Sequence, residues 1–574
     1  MKKLLFIILL TCSLFTCSLL CAQPSPWNAL GDTLTVIQRP ILNIPAIHIP
    51  GEIMPITCLA TQSTTGWTAF LLHGSKRIAL PLQSATWHSN PDRWELSVSI
   101  PNLPVFELYD LEVNASGGIH DITQNAVKVL PSRKESYYFV HLTDLHLPNR
   151  LFYPNQGYDI DSTSVLDFRA VIDDINLINP EFVLITGDLI NEGELENFEG
   201  QYWFGWAQRL IGLIEAPVFV TIGNHDVGGW NSTPPPQGSS RRNWWRYFGW
   251  NWLYNTDPNW NPHTQDYYFT YGNMLYIGLE AYDNYDNWLS YIYGAESFTA
   301  QQMAWLSATV NQFPNHAKVL FHHYDFNEQL SLNSLGIDMA LWGHIHRNSG
   351  SIYTQPYNLA TRSVCDENRS YRVIRVNGEQ LTPTNTIYAG SSGTGIYNYW
   401  IPSNTGVADS VLAIVTNNQP LAFENTLLKF VMPHNNTGYN VTNGILEQVD
   451  RSGEKNVCYV RANVLANSSL YVSVAANGVS TEDPSLTPSL LQISAIYPNP
   501  MRYRASLELT SDKSRSVTVE LYNHKGQKVQ ELQARLNPGK TNLSFVPAPE
   551  LGSGIYFLKL QQHPGKPLKV VIVK

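Results

Sequence analysis

Seven side chains in this sequence are hard-metal donors, and each stands just beyond an apolar, strand-forming run. Asp144 and His146 follow Tyr137 to Leu142, and Asp188 follows Phe182 to Thr186. Asn224 follows Val218 to Thr221, and one of His322 and His323 follows Lys318 to Phe321. His344 and His346 follow Met339 to Trp342. All the donors are oxygen or nitrogen, and no Cys-x-x-Cys accompanies them, so a thiolate site is not indicated. Such a set suits Zn, Mn or Fe and is too rich in histidine for Ca or Mg alone. Seven donors exceed what one ion with open positions needs. They serve two ions if one carboxylate is shared, and Asp188, a lone carboxylate at a strand end, is the natural bridge. His225 and Asp226 follow Asn224 directly, which puts an imidazole and a further carboxylate beside the donors.

Taken singly, each of these residues has an ordinary use: Asp144 as a helix cap, Asp188 as a turn residue, His346 as a surface imidazole. Their common placement carries the weight, because sites in open α/β sheets form outside the carboxyl ends of strands. The elements between them fit that plan. Val165, Phe168, Val171, Ile172 and Ile175 mark one face of a helix, a Trp- and Leu-rich helix is expected from Trp203 to Ile214, and Thr299 caps a third running to Phe313. Gly272-Asn273 and Asn377-Gly378 read as hairpin turns. Between Val227 and Pro262 lies a long insertion holding Trp230, Trp244, Trp245, Trp250, Trp252 and Trp260 with Arg241, Arg242 and Arg246. The tryptophans read as packing for this flap. Arg241 and Arg242 are the candidates to reach a substrate phosphate.

The remainder of the 574 residues is β-rich. The expected plan is a signal peptide over 1–22, an immunoglobulin-like β-sandwich over 23–134, the metal-donor domain over 135–384, a β-rich domain over 385–488 and a small β-sandwich over 489–574. Lys2-Lys3 and the apolar stretch from Leu4 to Leu20 supply the signal, with cleavage after Ala22 preferred to lipidation of Cys21. No later segment is apolar enough to cross a bilayer as a helix. The net charge of −10 argues against a sequence-independent grip on a nucleic-acid backbone. Outside the signal region Cys58, Cys365 and Cys458 remain, too few for a disulfide framework although one bridge is possible.

In this order, Asp144-x-His146, Gly187-Asp188, Gly223-Asn224-His225-Asp226, His322 and Gly343-His344-x-His346 resemble the calcineurin-like metallophosphoesterase family. The resemblance covers roughly Tyr137 to Val376. It implies two mixed β-sheets flanked by helices and a dinuclear metal site. Asp144, His146 and His346 would hold one ion, and Asn224, His322 and His344 the other, with Asp188 bridging. His322 is favoured over His323 as the first residue after its strand; many members carry proline nearby, where this chain has His323-Tyr324-Asp325. The activity implied is hydrolysis of phosphate mono- or diesters by a metal-bridging hydroxide, with no covalent intermediate. His225 would donate to a phosphate oxygen or protonate the leaving group, with Asp226 orienting its ring. The alternative is a non-catalytic surface binding protein or adhesin on the same fold.

The tail, from Tyr497-Pro498-Asn499-Pro500 through Gly552-Ser553-Gly554 to Lys569–Lys574, resembles the type A C-terminal sorting domain of type IX secretion. That implies the secretion machinery as a partner, and passage across the outer membrane to the surface or medium.

Overall fold

The computed structural model describes residues 35–89, 92–148, 163–191, 197–227, 238–249, 264–281, 297–390, 394–435, 437–477, 491–511, 513–523, 527–537, 539–561 and 567–573. The expected signal peptide, the linker from Thr481 to Pro488 and Trp230, Trp250, Trp252 and Trp260 lie outside these residues.

Two sheets form the centre of the chain. In the first, Val218–Thr221, Val183–Thr186 and Ser136–Leu142 run parallel, and Ser370–Asn377 and Gln380–Pro383 continue antiparallel. In the second, the hairpin Tyr267–Tyr271 and Met274–Gly278 is followed in parallel by Ala317–Phe321, Met339–Trp342 and Tyr357–Ala360.

Both sheets are buried on both faces, and side-chain alternation sorts the residues into layers. Tyr137, Phe139, Phe182, Leu184 and Phe219 of the first sheet pack with Tyr276, Val319, Phe321, Met339 and Leu341 of the second. The opposite parity of the first sheet, Tyr138, Val140, Leu142, Val183 and Ile185, packs under the helix Thr163–Ile178 through Phe168, Val171, Ile172 and Ile175. On the far side Leu275, Ile277, Leu320 and Ala340 pack with Leu306 and Val310 of the helix Ala300–Gln312. Thr299 caps that helix through a reciprocal capping box with Gln302, as its sequence foretells. The order is helix, sheet, sheet, helix, and the donor-bearing strands of both sheets end at one edge.

Before the central sheets lie two further sheets, one of four strands and one of five, between Ile37 and Val129. A four-stranded and a three-stranded sheet follow, between Ile396 and Ala476. Neither flank is walled off. Ile37, Met54, Ile56 and Leu111 share a continuous core with Phe139 and Phe182, and Val411, Phe430 and Val460 share one with Tyr138 and Phe168. The two flanks also meet: His73 Nε2 lies 2.9 Å from Asp450 Oδ2, and Gln448 Nε2 donates to the Phe106 carbonyl at 3.0 Å. Residues up to Asn477 accordingly form one compact unit.

The second unit begins at Gly478 and is a sandwich of a three-stranded and a four-stranded sheet with its own core, including Leu507, Leu521, Leu558 and Val570. Cys58, Cys365 and Cys458 are buried and unpaired. Among the described residues no helix is long and apolar enough to cross a membrane.

Candidate metal centre

The turns beyond the parallel strands are stitched to one another by main-chain hydrogen bonds. Leu145 and His146 N–H both donate to the Asp188 carbonyl at 2.9 Å, and Leu147 N–H donates to Leu189 at 3.0 Å. Asp226 closes the third turn onto the second. Its Oδ1 accepts from Leu189 N–H (2.8 Å) and Ile190 N–H (3.2 Å), and its Oδ2 accepts from Gly223 N–H (2.9 Å). The approach is so close that a Cβ on Gly223 would stand 2.2 Å from Asp188 Oδ1, so no larger residue fits there. Asp144, His146, Asp188, His344 and His346 all take left-handed backbone, with φ between 45° and 65°. Five such residues on five donors is backbone strain concentrated where side chains must converge.

Each carboxylate is tied by one oxygen and presents the other. Asp144 Oδ2 accepts from Thr143 Oγ1 (2.8 Å) and His344 N–H (3.0 Å). Its Oδ1 faces His346 Nε2 at 3.2 Å and His146 Nε2 at 3.7 Å. Asp188 Oδ1 accepts from His225 N–H (2.9 Å), while its Oδ2 lies 3.5 Å from His146 Nε2 and 3.0 Å from His323 Nε2. Asn224 Oδ1 is 3.0 Å from His344 Nδ1. Asp188 therefore belongs to two donor groups, one with His146 and His225, the other with His323 and His344.

These contacts fit a cation better than they fit hydrogen bonding. Asp144 Oδ1 and His323 Nε2 are buried without a well-formed hydrogen bond among the described residues. Each such group costs about 1–3 kcal/mol if nothing else satisfies it. His146 Nε2 and His346 Nε2 stand 3.1 Å apart, two ring nitrogens aimed at one place. Electrostatics say the same. Burial alone would raise Asp144 and Asp188, but the surrounding imidazoles hold both carboxyls well below the usual range. Burial would also depress His323 and His346; Asp188 lifts the first to about 9 and Asp144 lifts the second to about 12. His146, near 4, and His344, near 3, are kept neutral by burial. Two buried carboxylates call for positive charge here, and the donor set can take it from protons or from cations.

Three of the sequence expectations need correction. First, His323 rather than His322 reaches Asp188. Alternation explains it: His322 shares the parity of Leu320, toward the helix layer, and packs edge-on against Phe298 with ring centres 5.7 Å apart. His323 shares the parity of Val319 and Phe321, toward the inter-sheet side. Burial, with the neighbouring His323 charge, pushes His322 down to about 3. Second, Asp226 does not orient the ring of His225. It lies one residue further round the short helix Asn224–Val227 and clamps turns instead. The His225 ring is held by the Asn191 carbonyl, 2.5 Å from Nδ1, and stands edge-on to His146 at 4.8 Å. Third, Arg241 is fully buried on the helix Ser240–Phe248 and pairs with Glu280 at 2.6 Å. Its guanidinium is committed to a protein carboxylate; Arg242, beside it on the same helix, is 6% exposed. Trp244 and Trp245 are buried, in keeping with their packing role.

Sequence reasoning missed Asn191 and Asp366. Asp366 Oδ2 lies 2.9 Å from His346 Nδ1. No local pattern announces either, because each acts on a residue distant in the chain.

Residues 137–348 match the family described as calcineurin-like phosphoesterase, and residues 495–574 match the secretion system C-terminal sorting domain. The chain thus carries a calcineurin-like phosphoesterase segment and a type IX sorting domain, and the latter marks it for the cell surface or for secretion. No curated protein matches the chain. Among solved structures it is similar to a purple acid phosphatase isolated from yellow lupin (Lupinus luteus) seeds, at 12% identity over 64% of this chain and 70% of that one, with a TM-score of 0.31. It is also similar to a dimetal phosphatase from Danio rerio, at 12% identity over 45% of this chain and 99% of that one, with a TM-score of 0.30.

Proposed function

We propose that this chain is an exported, metal-dependent phosphoric ester hydrolase acting on phosphate mono- or diesters. The observation that carries the reading is Asp188 Oδ2, placed between His146 on one side and His323 on the other. Asp144, His146 and His346 with Asp188 would hold one cation; Asn224, His323 and His344 with Asp188 would hold the second. Such a pair, Zn, Mn or Fe by its donors, supplies an activated water and neutralises charge on phosphoryl oxygens.

The chain's own residues do the rest. Asp144 and Asp188 are each locked by a hydrogen bond to one oxygen, so their free oxygens need no reorganisation on loading. His225, oriented by the Asn191 carbonyl, is the group to hold a phosphate oxygen or pass a proton to the leaving oxygen. Cys365 is gathered with His146 and His346, but burial pushes its thiol up to about 12, so it is no ready nucleophile, in accord with direct transfer to water.

The test is hydrolysis of an aryl phosphate and an aryl phosphodiester by the full chain, before and after chelation. Activity should vanish with the chelator and return with added Zn, Mn or Fe. Turnover indifferent to chelation and readdition would refute the reading. A paired experiment decides between the adjacent imidazoles. His323→Ala should lose one of the two cations and most of the activity, whereas His322→Ala should keep both cations. The reverse pattern in metal analysis would restore His322 as the donor.

A further inference from the structure

Behind His346 the chain makes a tight turn that the donor set does not explain. Val364 and Cys365 N–H donate to the carbonyls of Thr143 (3.0 Å) and Asp144 (3.1 Å), which fastens the turn to the Asp144 loop. Asp366, Glu367 and Arg369 then take left-handed backbone, with φ of 60°, 59° and 47°. The helix Thr163–Ile178 holds them there: Asp167 Oδ2 accepts from Glu367 N–H at 2.9 Å, and Asp167 Oδ1 from Arg369 Nε at 2.7 Å. This bracing brings Asp366 Oδ2 to 2.9 Å from His346 Nδ1.

A carboxylate accepts, so the Nδ1 of His346 is the nitrogen that carries hydrogen. That leaves the lone pair on Nε2, which faces Asp144 Oδ1 at 3.2 Å. A carboxylate partner also makes an imidazole a stronger donor to a cation. The other imidazoles are supported differently. Among the described residues His323 Nδ1 meets a neutral main-chain carbonyl, that of Thr186, at 2.6 Å. His146 Nδ1 is buried with no partner among the described residues. Cys365 Sγ stands 3.6 Å from His346 Nδ1 but is a weak acceptor beside the carboxylate.

Resting on the two-cation reading above, we propose that Asp366 is a positioning residue that strengthens the Asp144/His146/His346 cation position selectively and makes it the one that fills first. Asp167 and the turn it braces belong to the same device. Asp366 itself touches no substrate.

The experiment uses the full chain stripped of metal and titrated with Zn2+ against a chromophoric chelator, for the wild type, Asp366→Asn and Asp366→Ala. Asp366→Asn keeps an accepting oxygen and the size of the side chain, so it guards against misfolding; circular dichroism checks each variant. The wild type should show a tight and a weaker site. Asp366→Ala should weaken the tight one by 10–100-fold, Asp366→Asn by less, and both should leave the weaker one unchanged. In a His323→Ala background, which removes the other position, Asp366→Ala should weaken the cation that remains by the same factor. An unchanged tight constant in Asp366→Ala, or equal weakening of both sites, overturns the assignment. A wild type that binds no cation overturns the functional reading itself, and is distinguishable from either.

Discussion

Asp188→Asn should strip the chain of most bound metal and lower aryl phosphate hydrolysis more than 100-fold. The substitution changes no shape. An asparagine oxygen can still accept the His225 N–H that Asp188 Oδ1 accepts at 2.9 Å. What is lost is the charge on Oδ2, the atom between His146 and His323. An amide is a poor bridge because only one of its two terminal atoms is a donor to cations. Loss of an outer partner of a ligand already costs 10–100-fold in metal affinity or activity, so loss of a ligand shared by two cations must exceed that. Elemental analysis of the purified variant, run beside the assay, checks it. A variant with full metal content and near-normal rate would remove Asp188 from the bridge and with it the paired-cation reading.

The second large effect is expected at His225. His225→Ala should cut turnover by 10²–10⁴-fold, about 3–5 kcal/mol of barrier, with metal content intact. The hydrogen bond to Asp188 comes from the main chain of residue 225 and survives the substitution. What disappears is a ring held by Asn191 and standing edge-on to His146. If the ring protonates the leaving oxygen, the loss should be largest for an alkyl ester and smallest for a nitrophenyl ester, whose leaving group needs no proton. A rate unchanged for both substrates would end the proton-transfer role, and loss of metal would recast His225 as a donor.

Much of this arrangement is legible before any coordinates. Val218–Thr221 and Met339–Trp342 are strands with the bounds read from their apolar runs, and Thr299 caps its helix. The placement of Asp144, Asp188, Asn224 and His344 just beyond strands follows from those runs. Other features were hidden. The helix Ser240–Phe248 interrupts a stretch read only as an insertion, and Tyr357–Ala360 adds an edge strand that went unread. The flanking β-rich segments read as separate bodies, yet their apolar side chains join the central cores.

The primary sequence alone determined which donors exist and that they stand beyond strand ends, because apolar runs and the polar residues that end them are local facts. Tertiary structure decided which donors meet. Ala317–Phe321 is buried on both faces, so composition could not say which parity looks inward; the packing of Leu320 on one layer and Phe321 on the other settled His323 over His322. The same holds for Arg241, taken up by Glu280 from a strand end, and for Asp366, brought to His346 by a turn that Asp167 braces from a helix. Charge pairs and second partners of this kind join residues far apart in the chain, and only the folded chain brings them within reach.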